Sequence, residues 1–407
     1  MRGPVRYLSE PSNWNDLSQN YTASKLWLKG QSPADPAKFI ALWKQEGHSR
    51  LGVTDPRTHL APPLGGLVVM APVAAFPWRI ARTLWLAILL ISVAATIWSL
   101  LQISEFRSNQ ARTLAFVAAC LALAPFQTGL ASGNTSILIV SLCALAMWAA
   151  KCRNDATAGI LFGVACSMKP HLGAFLVLYY LARRRWRLFV TAAGCTAALN
   201  LTAVLYLYLR GVSWIHDYIN NATGFVTSNN IDSFTTVNPA RFTLINLQVP
   251  FYSITGHSWS ANLWAFAVCG FWVCLWLYWV LRRKDLVPEL LSLSAISTIA
   301  LLPVYHRFYD AALLAVPICW CIANFAGPCK AVARTAMLLM TPFLLPGAAF
   351  LEQLAAQNKI PDALTQSWWW DRLIMPHETW ALLLLSVVLL YGMKLGQGKV
   401  TEDAGSK

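Results

Sequence analysis

Charge is scarce in this chain. Of its 407 residues only 12% are Asp, Glu, Lys or Arg, about half the share in a soluble domain. Acidic residues are the scarcer sign, 18 against 32 basic ones. The long polar stretches hold no cysteine. All ten cysteines (120, 143, 152, 166, 195, 269, 274, 319, 321 and 329) lie in or beside apolar runs, so no framework of structural disulfides is expected. "CWC" at 319–321 falls inside an apolar helix without metal-ligand spacing and reads as packing. No phosphate-binding glycine loop, zinc pattern or nucleophile elbow occurs. The opening "MRGPVRYLSEPSNWND" has no apolar core of the signal-peptide kind.

What is present is oil, in long runs. Hydrophobic residues make up 57% of the chain, and runs of that length without charge are the mark of membrane helices. The fold class expected is therefore all-α, a polytopic membrane protein. Nineteen tryptophans fit, because Trp gathers at bilayer interfaces, and "SWWWD" (367–371) reads as such an anchor. The net charge of +14 would suggest nucleic acid in a soluble protein. Here the basic residues form short clusters between apolar runs, the pattern of cytoplasmic loops, and nucleic acid is excluded as a partner.

The runs predict about eleven spans. One is at about 83–102, and a helical hairpin covers 113–150, broken by "PFQTGLASGN". Residues 158–187 are divided by Lys169-Pro170 into two short helices or one broken span. Others follow at about 188–209, 261–281, 287–303, 309–326, 335–351 and 379–394. Grouping "EFRSNQAR", "KCRND", "RRRWR", "RRKD", "CKAVAR" and the carboxy-terminal tail on one side gathers 16 Lys or Arg, against 6 in the alternating loops. The richer side is cytoplasmic by the positive-inside rule. The domain organisation that results is an outer loop at 1–60, a proline-rich re-entrant or interfacial segment at 61–78 and an N-terminal helical bundle at 79–209. An outer loop at 210–260, a C-terminal bundle at 261–396 and a cytoplasmic tail at 397–407 complete it. An outward-facing amino terminus with no apolar core also predicts a first helix missing upstream.

Ionisable groups at membrane depth are costly and are first read as functional. Lys169 stands alone in an uncharged stretch. It either snorkels to the interface or faces a cavity and holds an anionic headgroup, with Pro170 ending the helix beside it. "LLPVYHRFYD" (301–310) brings Tyr305, His306, Arg307 and Asp310 together between two apolar runs. These residues form either a helix cap with a salt bridge or a phosphate clamp, in which Arg307 offers a bidentate fork, His306 a titratable donor and Asp310 orients Arg307. Arg241, in "VNPARFTLINLQ", is a further outer-side cation. Asp16, Asp35, Asp55, Asp217 and Asp232 are candidate proton acceptors that spacing alone does not separate. "GNTS" and "NYT" match the N-glycosylation acceptor pattern.

Four further stretches are distinctive: "NDLSQNYTASKLWLKGQSP" (15–33), "HLAPPLGGLVVMAP" (59–72), "GILFGVACSMKPHLGAFLVLYYLARRRWR" (159–187) and "LLPVYHRFYDAALLAVP" (301–317). Together they resemble glycosyltransferase family 87, whose members have the C-type (GT-C) membrane fold. The second has His59-Leu60-Ala61 where the family often has an aromatic. The resemblance implies inverting transfer of a sugar, often mannose, from a polyprenyl-phosphate donor to a lipid or glycan acceptor. It implies an active site on the outer face of the cell membrane and no metal or other cofactor. It makes Asp16 the catalytic base and gives Lys169, His306, Arg307 and Arg241 to the donor phosphate, with Tyr305, Asp310 and Pro170 in support. The alternative is a transporter or lipid flippase, which predicts two related halves with broken helices in matching positions.

Overall fold

The computed structural model describes residues 3–9, 16–47, 63–104, 106–227, 233–283 and 286–396. Among these, regular structure is helical, apart from one isolated antiparallel bridge between Leu244 and Arg307. The chain begins with α1 (Gly3–Ser9), α2 (Asp16–Leu28), α3 (Pro36–Gln45), α4 (Leu64–Ala74) and α5 (Trp78–Ile103). It continues through α6 (Gln110–Ala122), α7 (Ala124–Ser132), α8 (Ser136–Lys151), α9 (Asp155–Met168) and α10 (Pro170–Ala182). Next come α11 (Trp186–Leu209), α12 (Ile215–Thr227), α13 (Gln248–Thr255), α14 (Ser258–Arg282) and α15 (Glu289–Ala300). Last are α16 (Ala315–Ala323), α17 (Lys330–Leu339), α18 (Gly347–Ala356), α19 (Asp362–Thr365) and α20 (His377–Leu395). The stretch read as an outer loop at 1–60 thus contains three helices.

Local chemistry sets many of the ends. Asn109 and Asn154 accept hydrogen bonds from the first turns of α6 and α9, satisfying donors with no partner inside the helix. Asp35 caps α3, with Pro36 at the first helical position. Lys169 ends α9 in an extended conformation, as the residue before a proline must. The division expected at Lys169-Pro170 is therefore present, with α9 and α10 on either side.

Among the described residues four helices are long and apolar enough to cross a bilayer: α5, α11, α14 and α20. The pair α6 and α7, bent by 47°, makes a fifth if it is counted as one span. Most other apolar segments are helices of 10–17 residues, shorter than the roughly 20 residues a crossing needs. The protein is thus an all-helical membrane protein with four to five apolar spans by length. The eleven charge-free runs of the sequence do not each become a full crossing helix.

The chain divides into two compact units, and each draws on separated stretches of sequence. The first holds residues 1–95, 126–173 and 187–241, and the second holds 96–125, 174–186 and 242–407. In the first unit α2 packs on α3 and α4 over a core that includes Leu26, Trp27, Phe39, Trp43, Leu67 and Leu207. The Trp27 indole donates to the Ala203 carbonyl at 3.1 Å, satisfying its one polar atom inside that core. Helices α9 and α11 approach each other through Gly159 and Gly163. A Cβ at Gly159 would lie 2.7 Å from the Leu188 carbonyl oxygen, and one at Gly163 2.5 Å from Cys195 Cβ. In the second unit α15 packs against α14, α16 and α20, and the Trp276 indole donates to the Ser292 carbonyl at 2.9 Å.

Candidate active site

Asp16 is the first residue of α2, where the exposed N–H groups of the first turn favour a carboxylate. The next residue, Leu17, is buried and holds the helix start against the first unit's interior. Between α7 and α8 the chain turns at Gly133, whose φ of 64° favours glycine. A side chain there would also collide, since a Cβ would stand 2.9 Å from the Tyr7 ring and 3.1 Å from Leu17 Cβ. The Gly133 carbonyl accepts from the Trp85 indole at 2.8 Å, which pins the turn. This turn delivers Asn134 to Asp16.

Asn134 Nδ2 donates to Asp16 Oδ2 at 2.7 Å. The amide's other end, Oδ1, accepts from the Ser136 backbone N–H at 2.7 Å and from the Ser136 hydroxyl at 2.6 Å. Lys169 Nζ donates to Ser136 Oγ at 2.7 Å and lies 3.5 Å from Asn134 Oδ1. The backbone N–H of Ser136 settles which way the amide points, because a flipped Asn134 would set a donor against that N–H and its oxygen against a carboxylate. Asn134 and Ser136 are buried, while Asp16 and Lys169 are half-buried. A carboxylate and an ammonium from distant parts of the chain are thus tied to one neutral pair. Pro170 is exposed and makes no hydrogen bond through its own nitrogen. Its effect is to end α9, so that Lys169 stands in extended backbone.

The other carboxylates have different tasks. Asp35 accepts from the Ala37 and Lys38 N–H groups at 3.0 and 3.2 Å and pairs with the Lys38 ammonium at 3.1 Å. Partial burial opposes its charge, but the backbone and side-chain hydrogen bonds of Lys38 prevail and hold the carboxyl below its ordinary value. Asp217 accepts from the Ser32 hydroxyl at 3.2 Å. Asp55 and Asp232 lie outside the described residues.

In the second unit Tyr305, His306, Arg307 and Asp310 do come together. His306 and Asp310 are fully buried, with Nδ1 3.3 Å from Oδ2. The same Asp310 oxygen accepts the Arg307 backbone N–H at 3.1 Å, a carboxylate reaching back to the start of its own helical turn. Arg307 Nε donates to the Tyr305 hydroxyl at 2.9 Å. The His306 carbonyl accepts from the Ile245 N–H at 2.9 Å, next to the Leu244–Arg307 bridge. The cap of the plainer sequence reading is present, and His306 stands at hydrogen-bond distance from Asp310. Asp310 meets Arg307 at its backbone, and Tyr305 meets its guanidinium. Arg241, the last residue of the first unit, is buried and opens a short 3-10 turn. The cations grouped by the sequence therefore divide between units, Lys169 and Arg241 in the first, His306 and Arg307 in the second.

The sequence did not single out Asn134 or Ser136 as site residues, because "GNTS" was read only as an acceptor pattern. The usable signal was a glycine followed by three polar residues inside the uncharged run 113–150.

The profile of glycosyltransferase family 87 matches residues 62–304, more than half of the chain. The chain belongs to glycosyltransferase family 87. It is accordingly a membrane glycosyltransferase, which displaces the transporter alternative. The family 87 match contains Asn134, Ser136, Lys169, Pro170 and Arg241, with Asp16 before it and Tyr305–Asp310 after it. Neither the curated proteins nor the solved structures yield a match.

Proposed function

We propose that this family 87 enzyme is an inverting GT-C glycosyltransferase. It moves a hexose, mannose by the resemblance, from a polyprenyl-phosphate donor to a lipid or glycan acceptor. The observation that carries the reading is the linkage of Asp16 to Lys169 through Asn134 and Ser136. A proton acceptor and a cation in one polar cluster are what an inverting displacement at a sugar phosphate requires.

The acceptor hydroxyl oxygen attacks the anomeric carbon and passes its proton to the Asp16 carboxylate. The bond between that carbon and the donor's phosphate oxygen breaks, and the oxygen leaves with the electron pair. Lys169 offers positive charge to the departing phosphate, so the reading calls for no metal. Arg241, His306 and Arg307 are assigned to donor binding from charge and chemistry, each within its own unit. The count of 16 Lys or Arg against 6 supports an active site on the non-cytoplasmic face of the cell membrane.

The deciding experiment supplies polyprenyl-phosphate mannose and lipid or glycan acceptors to membranes carrying the full chain. Sugar transfer is followed for the wild type and Asp16→Asn. Loss of a general base lowers turnover on the order of 10²- to 10⁴-fold. Equal transfer by a well-folded Asp16→Asn would remove Asp16 from the mechanism.

A further inference from the structure

Asn134 and Ser136 are buried polar residues in an apolar run, a placement that costs stability unless every polar group is matched. One of their bonds explains the approach to a helix: Asn134 Oδ1 accepts the Ser136 N–H in a local turn that leads into α8. That turn needs neither the amide's NH2 group nor the Ser136 hydroxyl. Yet the NH2 group is directed to Asp16 and the hydroxyl oxygen receives Lys169.

The donors and acceptors run in one direction. The ammonium donates to Ser136 Oγ, the hydroxyl donates to Asn134 Oδ1, and the amide donates to Asp16 Oδ2. Each step fixes the next, because a hydroxyl has a single proton to give and the amide cannot flip. Among the described residues Asp16 takes part in no ion pair, and the one side-chain hydrogen bond its carboxylate accepts is that of Asn134 at Oδ2. A direct Asp16–Lys169 contact would weaken the carboxylate as a base and spend the cation's charge on it. Neither an amide nor a hydroxyl titrates in the working range, so such a link carries the geometry without neutralising either end.

We propose that Asn134 and Ser136 are positioning residues of the transfer reaction, a neutral bridge that orients the base Asp16 at one end and the cation Lys169 at the other while keeping them from pairing. The roles of the two ends rest on the function proposed above.

The bridge makes the two ends separable. Using the full chain in membranes with polyprenyl-phosphate mannose, Asn134→Ala, which removes the side-chain hydrogen bond to Asp16 but leaves Lys169 the Ser136 hydroxyl, lowers kcat about ten-fold and leaves the donor KM within about two-fold. Ser136→Ala keeps the backbone bond that orients Asn134 but removes the hydroxyl that accepts from Lys169. It raises the donor KM roughly five-fold with a smaller change in kcat, and Ser136→Thr, which restores a hydroxyl, returns KM toward the wild type. A merely structural pair lowers the active fraction in all three variants and moves no KM. An unchanged donor KM in Ser136→Ala, or a kcat in Asn134→Ala within two-fold of the wild type, would overturn the proposal.

A second measurement needs no turnover. In a double-mutant cycle of Asp16→Ala and Asn134→Ala on the unfolding equilibrium, a real bond gives non-additivity of roughly ten-fold. Additive effects would overturn the bridge itself. Coupling in the cycle together with no transfer by the wild type would instead sink the donor reading and leave the bridge standing.

Discussion

Glu46 and Lys25 show how single side chains hold the first unit's amino-terminal helices in place. The Lys25 ammonium lies 2.8 Å from Glu46 Oε1, hydrogen-bonds the Tyr21 hydroxyl and sits 4.8 Å from the centre of that ring. The Tyr21 hydroxyl in turn donates to the Phe76 carbonyl at 3.0 Å, joining α2 to the turn before α5. Partial burial favours neutral Glu46, but the hydrogen bond and charge of Lys25 prevail and hold its carboxyl below its ordinary value. A depressed folded value contributes stability that is complete above the unfolded value, near 4.3, and is lost as pH falls through the folded one. The thermal midpoint should therefore drop on acidification below about pH 4.3, and less steeply in Lys25→Met. Arg307 offers a separate test in the second unit. If its guanidinium contacts donor phosphate, Arg307→Gln raises the donor KM about ten-fold without lowering the thermal midpoint; unchanged donor kinetics would leave Arg307 as the start of a helical turn.

The residues easiest to read from sequence were the charged ones. Asp16 and Lys169 stood out because a formal charge in an apolar chain demands a reason. Asn134 and Ser136 did not, because an amide and a hydroxyl barely interrupt an apolar run. Their partners are also distant, 118 residues from Asn134 to Asp16 and 33 from Ser136 to Lys169. Nothing local in "GNTS" announces bonds of that range.

Among elements, the break at Lys169-Pro170 was legible because proline chemistry is local. The close approach of α9 and α11 was not, although Gly159 and Gly163 stood in plain view, one helical turn apart. What each glycine avoids lies on another helix: Leu188 and Thr191 for the first, Ala192 and Cys195 for the second. Such small-residue faces let membrane helices approach at backbone distance. Gly163→Leu should force the pair apart and destabilise the protein by about 2 kcal/mol, read from the unfolding midpoint. Gly194, with no atom within 4 Å of its would-be Cβ, should tolerate alanine. The same distinction explains the span count. An uncharged run shows that a segment is apolar but not where its helices end. Around the expected span 335–351, Pro342 and Pro346 interrupt the helix, and α17, a short 3-10 turn (Thr341–Leu344) and α18 take its place.

At the scale of the whole molecule, composition alone was enough to read an all-helical membrane protein, because burying so much apolar surface with so little charge leaves few alternatives. It could not show that two compact units share a chain that passes repeatedly from one to the other. That interleaving also assigns to different units residues which the sequence had gathered around one phosphate.

The crossing helices are unequal. Those of 26, 24 and 25 residues (α5, α11 and α14) run about 39, 36 and 38 Å at 1.5 Å per residue. The 19 residues of α20 run about 29 Å, close to the roughly 30 Å of a bilayer's hydrocarbon. The three longer helices must lean or protrude where α20 fits upright. Acyl-chain length then acts on the enzyme as a mechanical load. In vesicles of short-, medium- and long-chain phosphatidylcholine, transfer should pass through an optimum, falling in short-chain lipid as the long helices lean further and in long-chain lipid as α20 is left too short to reach across.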